Sequence, residues 1–331
     1  MSRTIQTKFT EHASVQYPII CGAMYPCSNP ELVSAASNGG GLAIMQPVSL
    51  TYAHGWDLRE GIKYIKSMTD KPFGFNALIE KTNNKYIERM SVWIDIALEE
   101  GLRFFVTSLG KPDWVCEKVH AVGGVVYHDV TNRHWAKKGK ENGVDGLICV
   151  NNRAGGHLGD LSKEQMIEEL HDMDLPLICA GGVGGEDELN DALRLGYDGV
   201  QMGTRFIATD ECNTSDNYKR AIIEAKEEDI SWTKRISGVP ISVIKTKNFR
   251  QDNSWLVRKL LSGKFKHFAR TFISIISYWR LKSIKQSDEK NGSAKSIGLY
   301  SAGKSVGAIN NTMSATIIMR ELGESIKRNN G

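Results

Sequence analysis

The feature that most constrains the fold is a series of eight short apolar segments separated by helix-like segments. Each apolar segment is continuous rather than alternating, which is typical of strands that are buried on both faces of a parallel sheet. The segments between them carry apolar residues at three- and four-residue spacing, which indicates amphipathic helices. The strands are predicted at residues 18–23, 41–45, 72–77, 103–107, 124–128, 145–150, 176–180 and 199–202.

The alternation of strands and helices predicts an α/β fold, namely a (β/α)8 TIM barrel. An open, doubly wound sheet is the alternative, but no G-x-G-x-x-G motif follows the first strand as a dinucleotide fold of that type would require. The first helix follows Asn29, which is a candidate for its N-cap. Further helices are predicted at about 57–68, 85–100, 112–122, 132–142, 162–173, 186–195 and 314–328.

Residues 210–300 depart from the strand–helix pattern and are expected to form a helical substrate or cap subdomain inserted after the eighth strand. Residues 1–209 and 301–331 would then form the barrel. Within the insertion, residues 258–290 hold nine Lys and Arg against two Asp and Glu, whereas the net charge of the whole chain is +4. An apolar stripe at helical spacing accompanies these charges. The stripe is interpreted as a helix packed on the barrel with a solvated basic face, or else as a helix that binds a membrane surface or nucleic acid.

Several classes of protein are disfavoured by what the sequence lacks. No segment reaches the roughly 18 consecutive apolar residues of a membrane span, and the first 17 residues have no apolar signal core. A cytoplasmic protein without membrane insertion is therefore expected. The cysteines form no C-x-x-C pair, and Cys21, Cys149 and Cys179 lie in apolar runs, which favours reduced core cysteines.

In a (β/α)8 barrel, the active site lies at the C-terminal ends of the strands. These ends carry small, amide, hydroxyl and imidazole groups, with no cluster of carboxylates or of His and Cys that would indicate a metal site. Small residues beside amides suit a planar cofactor with many hydrogen-bonding edges. The residues at the first five strand ends are Ala23, Met24, Gln46, Asn76, Thr107, Ser108 and His128.

Glycine-rich segments follow the last three predicted strands. They are Ala-Gly-Gly-His-Leu-Gly at 154–159, Gly181-Gly182 and Gly203-Thr204. The last two strand ends of such barrels often bind phosphate through backbone N–H groups, although the glycines could serve only as tight turns. His157 lies among glycines with little packing to do, so it is the candidate catalytic residue, with a purely structural histidine as the alternative.

Five motifs in this order resemble the nitronate monooxygenase family, formerly called 2-nitropropane dioxygenases, which is related to flavin-dependent enoyl-acyl carrier protein (enoyl-ACP) reductases. They occupy residues 18–24, 71–76, 154–159, 180–183 and 201–206. The resemblance implies a non-covalent FMN and a catalytic His157 that faces the substrate. The cofactor-binding candidates are Ala23, Met24 and Asn76 at the isoalloxazine ring, Gly181, Gly182, Gly203 and Thr204 at the phosphate, and His128, Gly155 and Gly156 at nearby strand ends.

The activity that this resemblance implies is the oxidation of alkyl nitronates with O₂ to a carbonyl compound and nitrite. His157 would then be the general base for neutral nitroalkanes, because imidazole titrates near neutral pH. The alternative is an NAD(P)H-dependent FMN reductase acting on an enoyl thioester or a quinone, in which the basic segment at 258–285 docks an acidic carrier protein.

A third hypothesis makes the barrel a scaffold for a membrane- or DNA-binding helix, but it leaves the glycine-rich strand ends unexplained. The expected partners are a small-molecule substrate and O₂, with NAD(P)H as the alternative electron donor and without nucleic acid. The oligomeric state is open, with a homodimer as one candidate.

Overall fold

The computed structural model describes residues 6–79, 84–233, 240–245 and 300–329. Eight parallel strands close into a barrel, which confirms the predicted (β/α)8 fold. Closure occurs where the first strand pairs with both the second and the last. The barrel strands are β1 (Ile19–Cys21), β2 (Leu42–Met45), β3 (Phe73–Leu78), β4 (Phe104–Ser108), β5 (Val125–Val130), β6 (Gly146–Val150), β8 (Leu177–Ala180) and β9 (Gly199–Met202).

A second, three-stranded antiparallel sheet lies outside the barrel, in the order β10, β11, β7. Its strands are β7 (Gly156–His157), β10 (Ile230–Thr233) and β11 (Ile241–Ile244). Strands β10 and β11 differ from the helical structure expected for residues 210–300. The apolar residues at 240–244 are the sequence signal for β11, whereas β10 has no clear apolar alternation in the sequence. This sheet joins the loop after β6 to the region after the barrel's last strand.

Helices surround the barrel and, apart from short helical turns, are α1 (Lys8–Ala13), α2 (Pro30–Asn38), α3 (Leu58–Met68), α4 (Asn84–Glu99), α5 (Asp113–His120), α6 (Arg133–Glu141), α7 (Lys163–Leu170), α8 (Glu186–Arg194), α9 (Thr204–Ile207), α10 (Asp216–Glu224) and α11 (Ala315–Asn329). Helix α11 contacts α2 and α8 and so takes the place of the eighth barrel helix. Helix α11 packs closely against Tyr17, just before β1, because a Cβ on Gly323 of α11 would lie 2.2 Å from the Tyr17 ring.

Two apolar layers follow from the alternation of side chains along each strand. The barrel interior contains Ile20, Ile44, Val106, Tyr127, Ile148 and Ile178, together with Phe9 of α1. The outer layer, between strands and helices, contains the alternate residues of the same strands. Consecutive residues of one strand therefore belong to different layers, and this decides which side chains reach the active-site end of the barrel.

The predicted N-cap position of Asn29 is confirmed, but its side chain does not cap the helix. Asn29 occupies the N-cap position of α2, but its side chain makes no hydrogen bond to the helix amides. Its Nδ2 donates to Oε2 of Glu31 at 2.6 Å and to the carbonyl of Glu211 at 2.9 Å, while its Oδ1 accepts from the amide of Asn213. The side chain therefore fixes the loop after the barrel's last strand instead of capping the helix.

The insertion predicted at 210–300 is described only in part. Its described residues form α10, β10 and β11, and the basic apolar stripe within 256–285 lies outside the described residues. Among the described ranges, none of the helices combines the length and apolar character that crossing a bilayer requires. All six cysteines are buried and unpaired, as expected for those in apolar runs.

Candidate active site

The C-terminal ends of the barrel strands surround a cavity of about 560 Å³, a size in the usual range for small-molecule and cofactor sites. Every residue predicted to be catalytic or to bind the cofactor lines it, although the role of each stays a prediction. These residues are Ala23, Met24, Asn76, His128, Gly155, Gly156, His157, Gly181, Gly182, Gly203 and Thr204.

Two of the glycines are required by the fold itself. Gly181 and Gly182 have φ angles of 122° and 77°, in the region that side-chain-bearing residues rarely adopt. A Cβ on Gly181 would lie 2.4 Å from Oδ1 of Asn151, and one on Gly182 would lie 2.6 Å from Nε of Arg153. These positions need glycine whether or not a ligand binds there.

Gly203 differs from them. Its φ angle is −111°, and the nearest atom that a Cβ would meet is Sδ of Met24, at an ordinary contact distance of 3.4 Å. Both residues line the cavity. The local fold therefore has room for a side chain at Gly203, and its absence keeps this part of the cavity open.

Three separate loops meet beside Gly203. The hydroxyl of the buried Thr204 accepts a hydrogen bond from the amide of Gly303 at 3.0 Å, and the amide of Lys304 donates to the carbonyl of Arg153 at 3.0 Å. The Thr204 hydroxyl hydrogen can still donate toward the cavity. Ser301 and Ser305 line the cavity from this C-terminal segment; no strand-end pattern marks them, because they follow the insertion.

His157 lies on β7, which pairs with β11 so that His157 is opposite Ile241. The residue is exposed at the cavity mouth, yet desolvation by the surrounding protein lowers the pKa of its imidazole. The neutral ring is thereby favoured, with one nitrogen able to donate a hydrogen bond and the other able to accept a proton. Its position depends on a strand from the insertion, not on the barrel alone.

Strand β5 carries two adjacent titratable residues that face different layers. Tyr127 packs in the barrel interior and Val126 in the outer layer, so alternation directs His128 outward and Asp129 inward. Nδ1 of His128 lies 2.8 Å from Oγ1 of Thr107, whose hydroxyl donates to the carbonyl of Tyr127. Burial lowers the pKa of His128 to about 4, so its ring is neutral at physiological pH.

Asp129 is not among the residues that the sequence pattern singles out. The apolar segment predicts a strand ending at 128, whereas β5 continues to Val130. Asp129 lines the cavity, and its Oδ1 is buried without a hydrogen-bond partner in the part of the chain that the structure describes. Burial raises the pKa of this carboxyl to about 7. Counting every second residue along the strand from the interior residue Tyr127 would have identified Asp129 as the next side chain on the same face.

Two of the strand-end residues named from the sequence, Gln46 and Thr107, do not line the cavity. The Thr107 hydroxyl donates to the carbonyl of Tyr127 within the barrel wall. Gln46 turns its Oε1 to accept hydrogen bonds from the amides of Val48 and Ser49, at 2.6 and 3.1 Å. It therefore closes a local turn after β2. The glutamine on the cavity wall is Gln201 of β9, whose side chain lies beside Gly22.

The family model for nitronate monooxygenase matches residues 6–325. The chain belongs to the nitronate monooxygenase family. The matched residues include the C-terminal segment and most of α11 as well as the barrel strands. The contact of Gly303 with Thr204 therefore lies within the matched range.

Relatives in this family have different names. A hydroxy-methyl-oxo-octahydroindene carboxyl-CoA dehydrogenase of Rhodococcus jostii is 30% identical over 244 residues, which cover 73% of this chain and 67% of the relative. A probable nitronate monooxygenase of Staphylococcus saprophyticus is 27% identical over 296 residues, covering 76% of this chain and 82% of the relative.

Solved structures agree with the fold. FabK of Thermotoga maritima superposes with a TM-score of 0.75 at 22% identity, covering 98% of this chain and 97% of FabK. A nitroalkane oxidase of Streptomyces ansochromogenes has a TM-score of 0.77 at 19% identity, covering 97% and 98% of the two chains. At these identities the likeness concerns the barrel architecture.

Proposed function

We propose that the protein is an FMN-dependent oxidoreductase that oxidises alkyl nitronates with O₂ to a carbonyl compound and nitrite. The observation that carries this proposal is the convergence of all eleven predicted site residues on one cavity in a chain of the nitronate monooxygenase family. Substrate and cofactor would share this cavity, with His157 at its mouth.

Two features of the cavity lining suit FMN. Gly203 leaves a space that a Cβ would fill, and the Thr204 hydroxyl lies beside it, so a phosphate group could bind there through N–H and O–H donors. Ala23, Met24 and Asn76, which line the same cavity, would contact the isoalloxazine ring. A bound flavin would supply the electron acceptor for the substrate and then the reductant for O₂.

His157 is proposed to hold the substrate by donating a hydrogen bond to an oxygen of its nitro group. The lowered pKa of the imidazole keeps the ring neutral, so this contact uses an N–H dipole and not a positive charge. A nitronate would bind with most of its charge on the nitro oxygens, which is where this donor would lie. His157 would thus orient the α-carbon toward the flavin.

The division of the chain into an FMN-binding barrel (1–209 and 301–331) and a substrate or cap subdomain (210–300) is part of the same proposal. The pairing of β7 with β11 supports it, because a strand of the insertion then fixes the loop that carries His157. The cytoplasmic location and the homodimer stay predictions.

An NAD(P)H-dependent FMN reductase acting on an enoyl thioester or a quinone is the second candidate. It is favoured by the Rhodococcus relative, which is named as a dehydrogenase of a carboxyl-CoA thioester. In this reaction His157 would orient the thioester carbonyl, and the same cavity would bind the acyl group. The two candidates differ in the electron donor, which makes them separable by experiment.

The deciding experiment is an anaerobic absorbance spectrum of the purified holoprotein, recorded before and after NADH or NADPH and then after ethyl nitronate. Loss of the flavin's visible absorbance with the nitronate alone is expected. Rapid loss with the nicotinamide instead would favour the reductase. A protein that stays colourless after incubation with FMN would contradict both candidates.

The His157→Asn variant tests the substrate contact. We expect its kcat/KM for ethyl nitronate to fall about 10²-fold, since a charge-assisted hydrogen bond of about 1.5–3 kcal/mol to the anion is lost. The flavin content should be unchanged, because His157 would contact the substrate and not the phosphate. An unchanged kcat/KM would remove His157 from the site.

A further inference from the structure

We propose that Tyr25, Leu109 and Trp135 form an apolar rim at the mouth of the cavity, and that this rim selects nitronates with a long, uncharged apolar chain. Nitronates with a short chain, or with a carboxylate on the chain, would be poor substrates. The inference rests on the proposed function and names the substrate class of the same cavity.

The exposure of the three rim side chains is the first support. Leu109 is 60% exposed, Trp135 45% and Tyr25 40%, and all three line the cavity. Exposed side chains that line a cavity lie at its mouth. A single exposed apolar residue is ordinary on a protein surface, but several large ones around one opening are typical of a ligand-binding groove. An apolar part of a substrate would remove them from water.

The rim residues reach the mouth from different sides. Tyr25 follows β1, Leu109 follows β4, and Trp135 lies in α6, just after β5. Strands β1 and β5 are four positions apart in the closed ring of eight, so they lie on opposite sides of the barrel. An alkyl chain that leaves the cavity between them would therefore contact apolar side chains on both sides.

The backbone of Leu109 is the second support. Its φ angle is 73°, in the left-handed region that a residue with a side chain adopts only at a cost. Glycine would remove this cost, and burial does not explain the leucine, because most of its side chain is exposed. Strained residues of this kind are concentrated at ligand sites. A contact with the substrate chain gives the Leu109 side chain a role at the cavity mouth.

The charges around the cavity are the third support. Among the described residues that line it, none is Lys or Arg, and Asp129 is the one carboxylic acid. Lys138 is nearby, with its Nζ 4.9 Å from the centre of the Trp135 ring, but it does not line the cavity. A carboxylate on the substrate chain would lose water here without a cation to pair with, which is costly. The charge of the nitronate itself would lie at the other end of the substrate, beside His157.

The length of the substrate chain should therefore have a regular effect. Each CH₂ group that moves from water into the apolar rim should raise kcat/KM about fourfold, until the chain extends past the rim. The increase should appear mainly as a lower KM, because a remote alkyl chain is bound equally well before and during the reaction. Replacing the terminal methyl of heptyl nitronate by a carboxylate, which gives the nitronate of 7-nitroheptanoate, should lower kcat/KM about 10²-fold.

The test measures O₂ uptake by the holoenzyme at one pH with the unbranched nitronates from ethyl to heptyl, each prepared in base and assayed before it reprotonates. The quantity compared is the slope of log(kcat/KM) against the number of carbons. Leu109→Gly and Trp135→Ala should each lower this slope, because each removes one side of the apolar rim. The matched control is Val92→Ala, which should leave the slope unchanged, because Val92 is also exposed but lies on α4 and does not line the cavity.

Both rim variants are expected to fold. Leu109→Gly relieves the positive φ angle, and Trp135→Ala keeps the backbone amide that donates to Oδ1 of Asn132 at the start of α6. If one variant does not fold, the slope of the other decides.

The outcomes separate this proposal from the proposed function. A slope near zero in wild type would overturn the apolar rim and leave the proposed function standing. So would equal kcat/KM for heptyl nitronate and the nitronate of 7-nitroheptanoate, or a wild-type slope in the rim variants. Turnover of none of the nitronates would overturn the proposed function, and this proposal with it.

Discussion

Replacing Asp129 by Asn is expected to stabilise the protein above neutral pH and not below about pH 4. The pKa of this carboxyl is raised from its ordinary 3.8 to about 7 because it is buried. An acid whose pKa is raised in the folded state is harder to ionise there than in the unfolded chain. The buried carboxyl therefore destabilises the folded protein only when it would be ionised in the unfolded chain. This destabilisation is absent below about pH 3.8, grows between pH 3.8 and about 7, and is complete above about pH 7.

The magnitude follows from the size of the shift. A difference of about 3 pK units corresponds to about 4 kcal/mol, at about 1.36 kcal/mol for each unit. This is an upper limit for the gain, since the amide that Asp129→Asn introduces would still be a buried polar group that lacks a partner. A gain of about 2–4 kcal/mol in the free energy of unfolding is therefore expected above neutral pH.

The assay is equilibrium urea unfolding of both proteins across this pH range, with flavin content matched because a bound ligand adds its own stabilisation. The control is Asp70→Asn, whose carboxylate is 85% exposed and whose loss should change stability by less than about 0.5 kcal/mol. If wild type and Asp129→Asn differ by the same amount at every pH, burial of the Asp129 carboxyl is not the cause of the difference.

Three further predictions concern the backbone. Gly203→Ala should fold normally, because its Cβ would meet its nearest neighbour at 3.4 Å, but should purify with much less flavin, measured as the ratio of flavin to protein absorbance; full flavin content would contradict this. Leu109 has a φ angle of 73° and is 60% exposed, so Leu109→Gly should raise the free energy of unfolding by up to about 1 kcal/mol in urea, and a decrease would refute the strain. Gly323→Ala should lower the free energy of unfolding by about 2–3 kcal/mol, since the Cβ would lie 2.2 Å from the Tyr17 ring. A thermal melt that matches wild type would show that the ring moves aside without cost.

Much of the fold could be predicted because strands and helices are local patterns. The apolar segment at 199–202 coincides with β9, and the segment at 103–107 differs from β4 by one residue at each end. The final helix predicted at 314–328 is α11 (Ala315–Asn329). Each of these elements buries one face, and the regular spacing of the apolar residues on that face can be recognised in the local sequence.

Part of the cavity could be predicted for a related reason. Glycines and hydroxyls at strand ends are recognisable in sequence, and the barrel brings all strand ends to one face. His128 and Asp129 mark the limit of this reasoning. The predicted strand stops at residue 128, two residues before β5 ends, so the prediction includes His128 and leaves out Asp129, although both residues line the cavity.

By itself, then, the sequence determines the order of the strands and helices, the barrel they form and the glycine-rich face at which a ligand would bind, because each depends on residues close together in the chain. Only the tertiary structure decides that β7 pairs with β11, that Gly303 meets Thr204, and that a carboxyl oxygen of Asp129 is buried without a partner among the described residues. These contacts join segments far apart in sequence, or depend on what surrounds a side chain in space, and no local pattern encodes them.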